Sequence, residues 1–476
     1  MTNTIKSKRR FPEILAGLHL ALGAILSVIP GLTFYIGVVV LLMGIYWALT
    51  DSSTSVNRGL LAAGYLCGLE LVFRLSKSGL PHEFVKYAVT LILLIMWLRS
   101  GMKIQLGILL YFLLLLPGIL LSQGRTIEET RQFVSANLSG PLCLAVSSLF
   151  FYKRKIHIEH FVGVLRWLLY PLITLVSILI VKSPDLAQVD FGYGSNFQTS
   201  IYGPNQVSSV LGLGIIIIGL GILLKLQLFK WQWVGLVIAG MMLFRGLLTF
   251  SRGGIITAFI VLVLVYVLIL FSSKASAGLR IRVIFFVIAG SLVVYSLFQY
   301  TNELTGNALF DRYAGIKRGQ QLAADSYTSG RTRIVKIDWD IFKENWLFGV
   351  GVGMGKSARA EQGYEIIAHV EFTRMLAEHG LAGLLALLIL LFSPILFYLR
   401  EPRVMNKVFL VVGVLFCFSF MLHSATRIAA PMFMYGFTFI QLLSSRDIIL
   451  RKHALQARKV AISNRRDYAT APAGAA

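Results

Sequence analysis

The sequence predicts an all-α polytopic membrane protein, with about 12–14 transmembrane helices and one large polar loop on the outer side. Three observations carry this. Of the 476 residues 56% are hydrophobic and only 14% charged, with a mean hydropathy of +0.74, far from the balance of a soluble domain. Fourteen segments approach the roughly 20 apolar residues that a ~30 Å hydrocarbon core requires. Runs such as 214–224 and 255–270 stay apolar without the period-two alternation of barrel strands, so the spans are helices.

In chain order the segments are 13–30, 31–49, 59–75, 84–98, 104–121, 137–152, 161–181, 205–226, 231–250, 254–271, 283–299, 380–399, 408–422 and 430–445. Lys6, Lys8, Arg9 and Arg10 precede the first, and the positive-inside rule places them in the cytoplasm. Every second loop is then cytoplasmic, and those loops hold Arg99 and Lys103, Lys153 to Lys155, Lys225 and Lys230, Lys274 to Arg282, and Arg400 to Lys407. A basic tail, 446–476, puts the C-terminus on the same side, and its last residues, 469–476, read as disordered. The net charge of +23 is therefore a topology signal and not a nucleic-acid footprint. The expected organisation is a membrane domain over 1–299, an outer loop over 300–379, and a second membrane domain over 380–445. The loop carries ten basic and ten acidic residues, the balance of a folded segment and not of an inside-type loop. The first apolar run leads directly into a second through Pro30-Gly31, so no cleavable signal peptide is expected.

Ionisable groups within spans are costly and call for a reason. Glu70 and Arg74, four apart, share a helix face and can neutralise one another. Arg245 and Arg252 are seven apart, and on one ideal helix both would face the same way, ~10 Å apart along the axis. Like charges so placed invite an anion between them, with snorkelling to lipid phosphate as the competing reading. Thr249 to Gly254, reading Thr-Phe-Ser-Arg-Gly-Gly, turns the chain at the outer surface and opens the next span. Gly253 and Gly254 let backbone approach a ligand, and amides at a helix start favour negative charge. Cys67, Cys143 and Cys417 fall inside spans and read as small packing residues.

The large loop adds further parts. Gly330 to Trp346 has helical periodicity, with Ile334, Val335, Ile337, Trp339, Ile341, Phe342 and Trp346 on one arc. Such a helix is expected to lie on the membrane with that arc inward, Arg331 pointing toward a site and Arg333 toward solvent. Gly349 to Ser357 tempts a nucleotide-binding reading, but Val350 stands where the phosphate-loop pattern needs glycine. It reads instead as a flexible turn or backbone nest. His369 opens a further helix running into the twelfth span. A neutral imidazole of pKa near ~6.5 suits removal of a proton from a sugar hydroxyl. No His or Glu near it has metalloprotease spacing, so neither metal nor cofactor is expected.

His369-Val370, nine residues, then Gly380-Leu381-Ala382-Gly383 resembles the signature of the O-antigen ligase and polymerase superfamily, GT-C type membrane glycosyltransferases. Val370 departs from it, standing at a normally polar position. Ser251-Arg252-Gly253, Gly330-Arg331-Thr332 and Tyr202-Gly203-Pro204-Asn205 are similar to further family patches, and the likeness covers about 200–385. The resemblance implies an inverting transfer of a glycan from undecaprenyl diphosphate to an acceptor hydroxyl, on lipid A-core or another glycan, at the periplasmic face of a bacterial inner membrane. It implies that Arg252 and Arg331 bind the diphosphate and that His369 is the base or orients the acceptor. Arg245, Asn205, Gly253, Lys86 and Glu83 are expected substrate contacts. The alternatives are a polysaccharide polymerase, a protein O-glycosyltransferase, and, in another class, a lipid-linked oligosaccharide flippase. A flippase would be expected to show two related halves instead of one histidine-bearing loop.

Overall fold

Backbone amides and carbonyls in hydrocarbon must be satisfied within the protein, which favours helices wherever the chain is continuously apolar. A computed structural model describes residues 12–51, 57–124, 126–191, 195–272, 276–317, 320–321, 330–364 and 368–443. The N-terminal basic cluster, Lys274 and the basic tail lie outside them.

The first eleven expected spans correspond to α1 (Pro12–Val28), α2 (Leu32–Thr50), α3 (Arg58–Leu75), α4 (Phe84–Arg99), α5 (Leu106–Leu115), α6 (Ile127–Phe151), α7 (Ile158–Val181), α9 (Pro204–Leu223), α10 (Gln232–Leu248), α11 (Arg252–Leu270) and α12 (Ala277–Leu304), with a one-turn α8 (Phe197–Ser200) before α9. Then come α13 (Ala308–Ala314), α14 (Arg331–Glu344), α15 (Gly355–Glu361), α16 (Glu371–Arg400), α17 (Val404–Ser424) and α18 (Ala429–Tyr435). Eight of these helices are long and apolar enough to cross a membrane, and the chain is an all-α polytopic membrane protein.

Two spans depart from regular helix, each for a local reason. The fifth breaks after α5, where Pro117 opens a short 3₁₀ turn, Pro117–Leu121. The carbonyl of Gly118 is taken by Val352 N at 3.0 Å. The fourteenth is α18, then a 3₁₀ turn, Gly436–Phe439, then a strand, Gln441–Leu443, paired in parallel with Lys155–His157. At ~1.5, ~2.0 and ~3.3 Å per residue this irregular segment covers roughly 28 Å. Every residue of α18 and of the 3₁₀ turn is buried, the condition under which irregular backbone is tolerated at membrane depth.

Close backbone packing sets where α11 begins. A Cβ on Gly254 would lie 2.2 Å from backbone atoms of Ser208, and one on Gly212 2.5 Å from the Gly254 carbonyl. Only glycine allows α9 and α11 to approach this closely, and that approach fixes the height of Arg252 beside the start of α9.

The expected apolar arc of the amphipathic helix α14 divides between protein and surface. Its buried face is Ile334, Ile337, Asp338 and Ile341, with Ile337 and Ile341 packed on Ala377 of α16. Trp339 and Trp346 of the apolar arc stay exposed. Asp338, which the expected apolar arc did not include, pairs with Arg359 at 2.5 Å and accepts from Thr373 at 2.9 Å. A buried partner outweighs the hydropathy of one position. Burial raises the Asp338 carboxyl above its ordinary value, and the Arg359 charge partly opposes this.

Candidate active site

The site forms where α9, α11, α14, α16 and α17 bring their ends together. Arg252 is the first residue of α11, after a turn in which Phe250 adopts the left-handed region (φ 57). That strained backbone is held from several sides. Phe250 stacks on Phe191 with ring centroids 4.9 Å apart, and its carbonyl accepts from Arg312 Nε at 3.1 Å. Ser251 Oγ donates to Asn205 Oδ1 at 2.7 Å, and Ser208 Oγ to the Ser251 carbonyl at 2.8 Å. Arg252 Nη1 donates to the Arg312 carbonyl at 3.2 Å, so α13 is clasped to the start of α11.

Arg331 opens α14 directly after Gly330, which is in the left-handed region (φ 76). Burial lowers its pKa, and the charges of Arg312 and Arg252 lower it further. Among the described residues, the charges that bear on Arg331 are those of Arg312 and Arg252, so three guanidiniums from three elements come together. Guanidiniums so placed could grip an anion by fork geometry. Arg333 lies on the exposed side as expected, hydrogen-bonded to the Tyr364 hydroxyl and stacked over its ring at 4.2 Å.

His369 stands two residues before α16 and is half-buried. Its carbonyl accepts from Ala425 N at 3.0 Å, and Arg427 donates to the neighbouring Ala368 carbonyl at 2.9 Å. The expectation that His369 itself starts the helix is corrected by two residues: Val370 is the N-cap, without a side-chain cap bond. The helix is also not straight, because Gly380 (φ 58, ψ −134) kinks it. The signature glycine therefore separates a short arm behind His369 from the long apolar arm.

The glycine-rich segment packs into this kink and is not an open nest. Gly349, Gly351 and Gly353 all have positive φ, and a Cβ on Gly349 would meet Glu378 backbone at 2.4 Å. Val350 N and Gly351 N donate to the carbonyls of Ala377 and Glu378, and Gly353 N to Glu378 Oε2. Those amides are committed to the protein itself.

The other expected contacts divide. Asn205 joins the site, linking Ser251 to the His423 carbonyl, and Gly253 lies against the His423 ring, with room of only 3.1 Å for a Cβ. Arg245 does not share a face with Arg252. It ends α10 below the turn, is 2% exposed, and donates to Ser183 Oγ and the Thr199 carbonyl at 2.9 and 2.7 Å. The single-helix wheel failed because the chain reverses at Phe250. Lys86 is buried, paired with Glu83 and directed at the Thr426 carbonyl. Burial pushes the Glu83 carboxyl up, but the His82 hydrogen bond, the Lys86 charge and Ser139 outweigh it and hold it at about 2.

Three features were not read from the sequence. Arg312 is one. His423 is the second; its Nε2 lies 2.7 Å from Ser209 Oγ, and it feels the charges of Arg331 and His369. The third is the segment after α17, which ionic groups brace from several helices. Arg374 bridges Glu371 (2.5 Å) and Glu378 (2.6 Å), and Thr426 donates to Glu371 at 3.2 Å. Arg74 pairs with Glu70 at 2.6 Å, as expected, and donates to the Arg427 carbonyl at 2.8 Å, while Ala429 N donates to Glu70 at 2.6 Å. A signal existed in the run His423-Ser424-Ala425-Thr426-Arg427, a polar break between apolar spans.

No curated protein matches the chain. Residues 237–388, which include Arg252, Arg312, Arg331 and His369, match the family model described as O-antigen ligase, so about a third of the chain is similar to the O-antigen ligase superfamily.

Proposed function

We propose that this protein transfers a glycan from an undecaprenyl-diphosphate carrier to an acceptor hydroxyl at the periplasmic face of the bacterial inner membrane. The observation that carries the reading is the convergence of Arg252, Arg312 and Arg331 beside His369 and His423, at the ends of apolar helices. The acceptor oxygen attacks the anomeric carbon, and the bond from that carbon to the diphosphate breaks with inversion. Negative charge grows on the departing diphosphate, where preorganised guanidiniums are most effective. His369 takes the acceptor proton. Arg245, Lys86 and Glu83 act as braces, and Asn205 and Gly253 shape the wall around Arg252.

Deletion of the gene, followed by mass spectrometry of carrier-linked and lipid A-linked glycans, tests the reaction. Long chains retained on the carrier, with lipid A-core left bare, are the expected result. Loss of polymer with single repeats on the acceptor would instead assign polymerisation, and unchanged glycans would end the proposal.

Sidedness is tested separately. Cysteines at Ser357, in α15, and Ser276, before α12, are both on exposed residues. With the site periplasmic, an impermeant thiol reagent added from outside should label Ser357→Cys and not Ser276→Cys. The opposite labelling would place the chemistry on the wrong side for a diphosphate carrier displayed outside.

A further inference from the structure

An apolar groove of about 770 Å³ opens between α11, α16 and α17, at the far ends of these helices from the site. Its walls include Leu264 and Val267 of α11, Pro394 and Ile395 of α16, and Val411 and Val414 of α17. These are the helices that carry Arg252, follow His369 and bear His423 at their other ends.

The groove stripes lead back to the site. On α11, Gly253 is eleven residues before Leu264 and eighteen before Phe271, about three and five whole turns, so all three share a face. On α17, Val411 and Leu422 are likewise about three turns apart, and Leu422 is exposed beside His423. On α16 the exposed Leu381, Leu385, Leu388 and Leu391 continue the apolar surface from the kink to Ile395. Counting at ~1.5 Å per residue from Arg252, Gly380 and His423, the groove lies roughly 14–28 Å below the site. Beyond it, Ser272, Glu401 and Lys407 close the end with polar groups, Lys407 Nζ sitting 4.3 Å from the centre of the Tyr398 ring.

We propose that this groove holds the distal isoprene units of the donor's polyprenyl chain, an inference that rests on the donor assigned above. Depth selects the occupant. Half of a ~30 Å hydrocarbon core is ~15 Å, so an ordinary acyl chain whose headgroup lies level with the site ends about where the groove begins. A long polyprenyl chain anchored by its diphosphate at Arg252 and Arg331 continues past the midplane and follows the apolar stripe. The chain leaves lipid for protein, so it gains packing and not hydrophobic burial. The contribution to donor recognition is accordingly modest.

The test compares undecaprenyl and farnesyl diphosphate-linked forms of one glycan, with the full-length protein in nanodiscs. Wild type should have a KM roughly three- to tenfold lower for the undecaprenyl donor. Leu264→Trp and Val411→Trp, which fill the groove, should remove that advantage and leave turnover of the farnesyl donor unchanged. Unchanged farnesyl turnover also shows that the variants fold. Leu236→Trp, on an exposed face of α10 away from the groove, should change neither value. A photoreactive group on the last isoprene should label peptides 264–271 and 404–415 in wild type. Equal KM values for both donors in wild type, or groove variants that keep the undecaprenyl advantage, would overturn the groove while leaving the transferase reading intact. Labelling that appears only with a photoreactive phospholipid would give the groove to a lipid of the opposite leaflet. Wild type that transfers from neither donor would overturn both.

Discussion

Replacing Arg252 or Arg331 with alanine should abolish transfer while leaving the protein folded and in the membrane. Both residues begin helices, and the charges of Arg312 and Arg252 bear on Arg331, where the proposed donor diphosphate would sit. Lysine at either position should rescue only partly, because an ammonium keeps the charge but loses the planar fork that grips two phosphate oxygens. Arg333→Ala should be far milder, since that guanidinium is exposed and stacked on Tyr364. Arg312→Lys should be more damaging than its distance in sequence from any motif suggests. It would lose the Nε donor that holds the strained Phe250 carbonyl, and with it the turn that presents Arg252. Activity in an in vitro transfer assay, set beside monomeric yield from detergent, separates these outcomes. Equal tolerance at Arg252, Arg331 and Arg333 would leave the cluster a surface feature.

The legible part of the fold was the part governed by lipid. Twelve apolar segments coincide with regular helices because continuous hydrocarbon leaves the backbone no other way to satisfy its polar groups, and the fifth does so only as far as Leu115, where Pro117 breaks it. The fourteenth departed because it is shielded by protein on all sides, and there the constraint is relaxed. The candidate site was legible where a residue sits in a short motif at the end of an apolar span. Arg252, Gly253, Asn205, Arg331 and His369 stand in separate short motifs, and the structure brings all of them around one junction. It was illegible where tertiary partners decide. Arg312 and His423 sit outside the motifs and reach the junction through the α10–α11 turn and the end of α17. Arg245 was misplaced by extending one helical wheel through a reversal. Val370, the departure from the family pattern, takes on a local meaning in the structure. It occupies the N-cap of α16, a position where Asn or Ser would accept from a backbone amide. The polar residue expected there is explained by helix capping without any contact to an acceptor.

Replacing His369 with alanine should slow turnover by about 10²–10⁴-fold while binding of the lipid-linked donor survives, the range for loss of a general base. The geometry makes this substitution interpretable. His369 is half-buried, and the framework contact at its position is made by its backbone carbonyl to Ala425 N, which alanine retains. His379 would be a poor control, although it is the nearest histidine in sequence. It is buried beside Gly118, close against the turn that breaks the fifth span, so its removal opens a cavity. His82 serves better, being exposed and engaged with Glu83 and Tyr202 outside the cluster. The pH profile supplies the readout that a structural role would not move. Only neutral imidazole accepts a proton, so wild-type kcat should fall as acid protonates His369. In His369→Ala that acid limb should flatten, because the titrating base is gone and the remaining rate no longer depends on it. His369→Gln should behave like alanine in kcat, since an amide can hold a hydrogen bond but cannot take the proton. Wild-type turnover in His369→Ala, with the acid limb unchanged, would remove His369 from the chemistry and move attention to His423, the other imidazole within reach of Arg331.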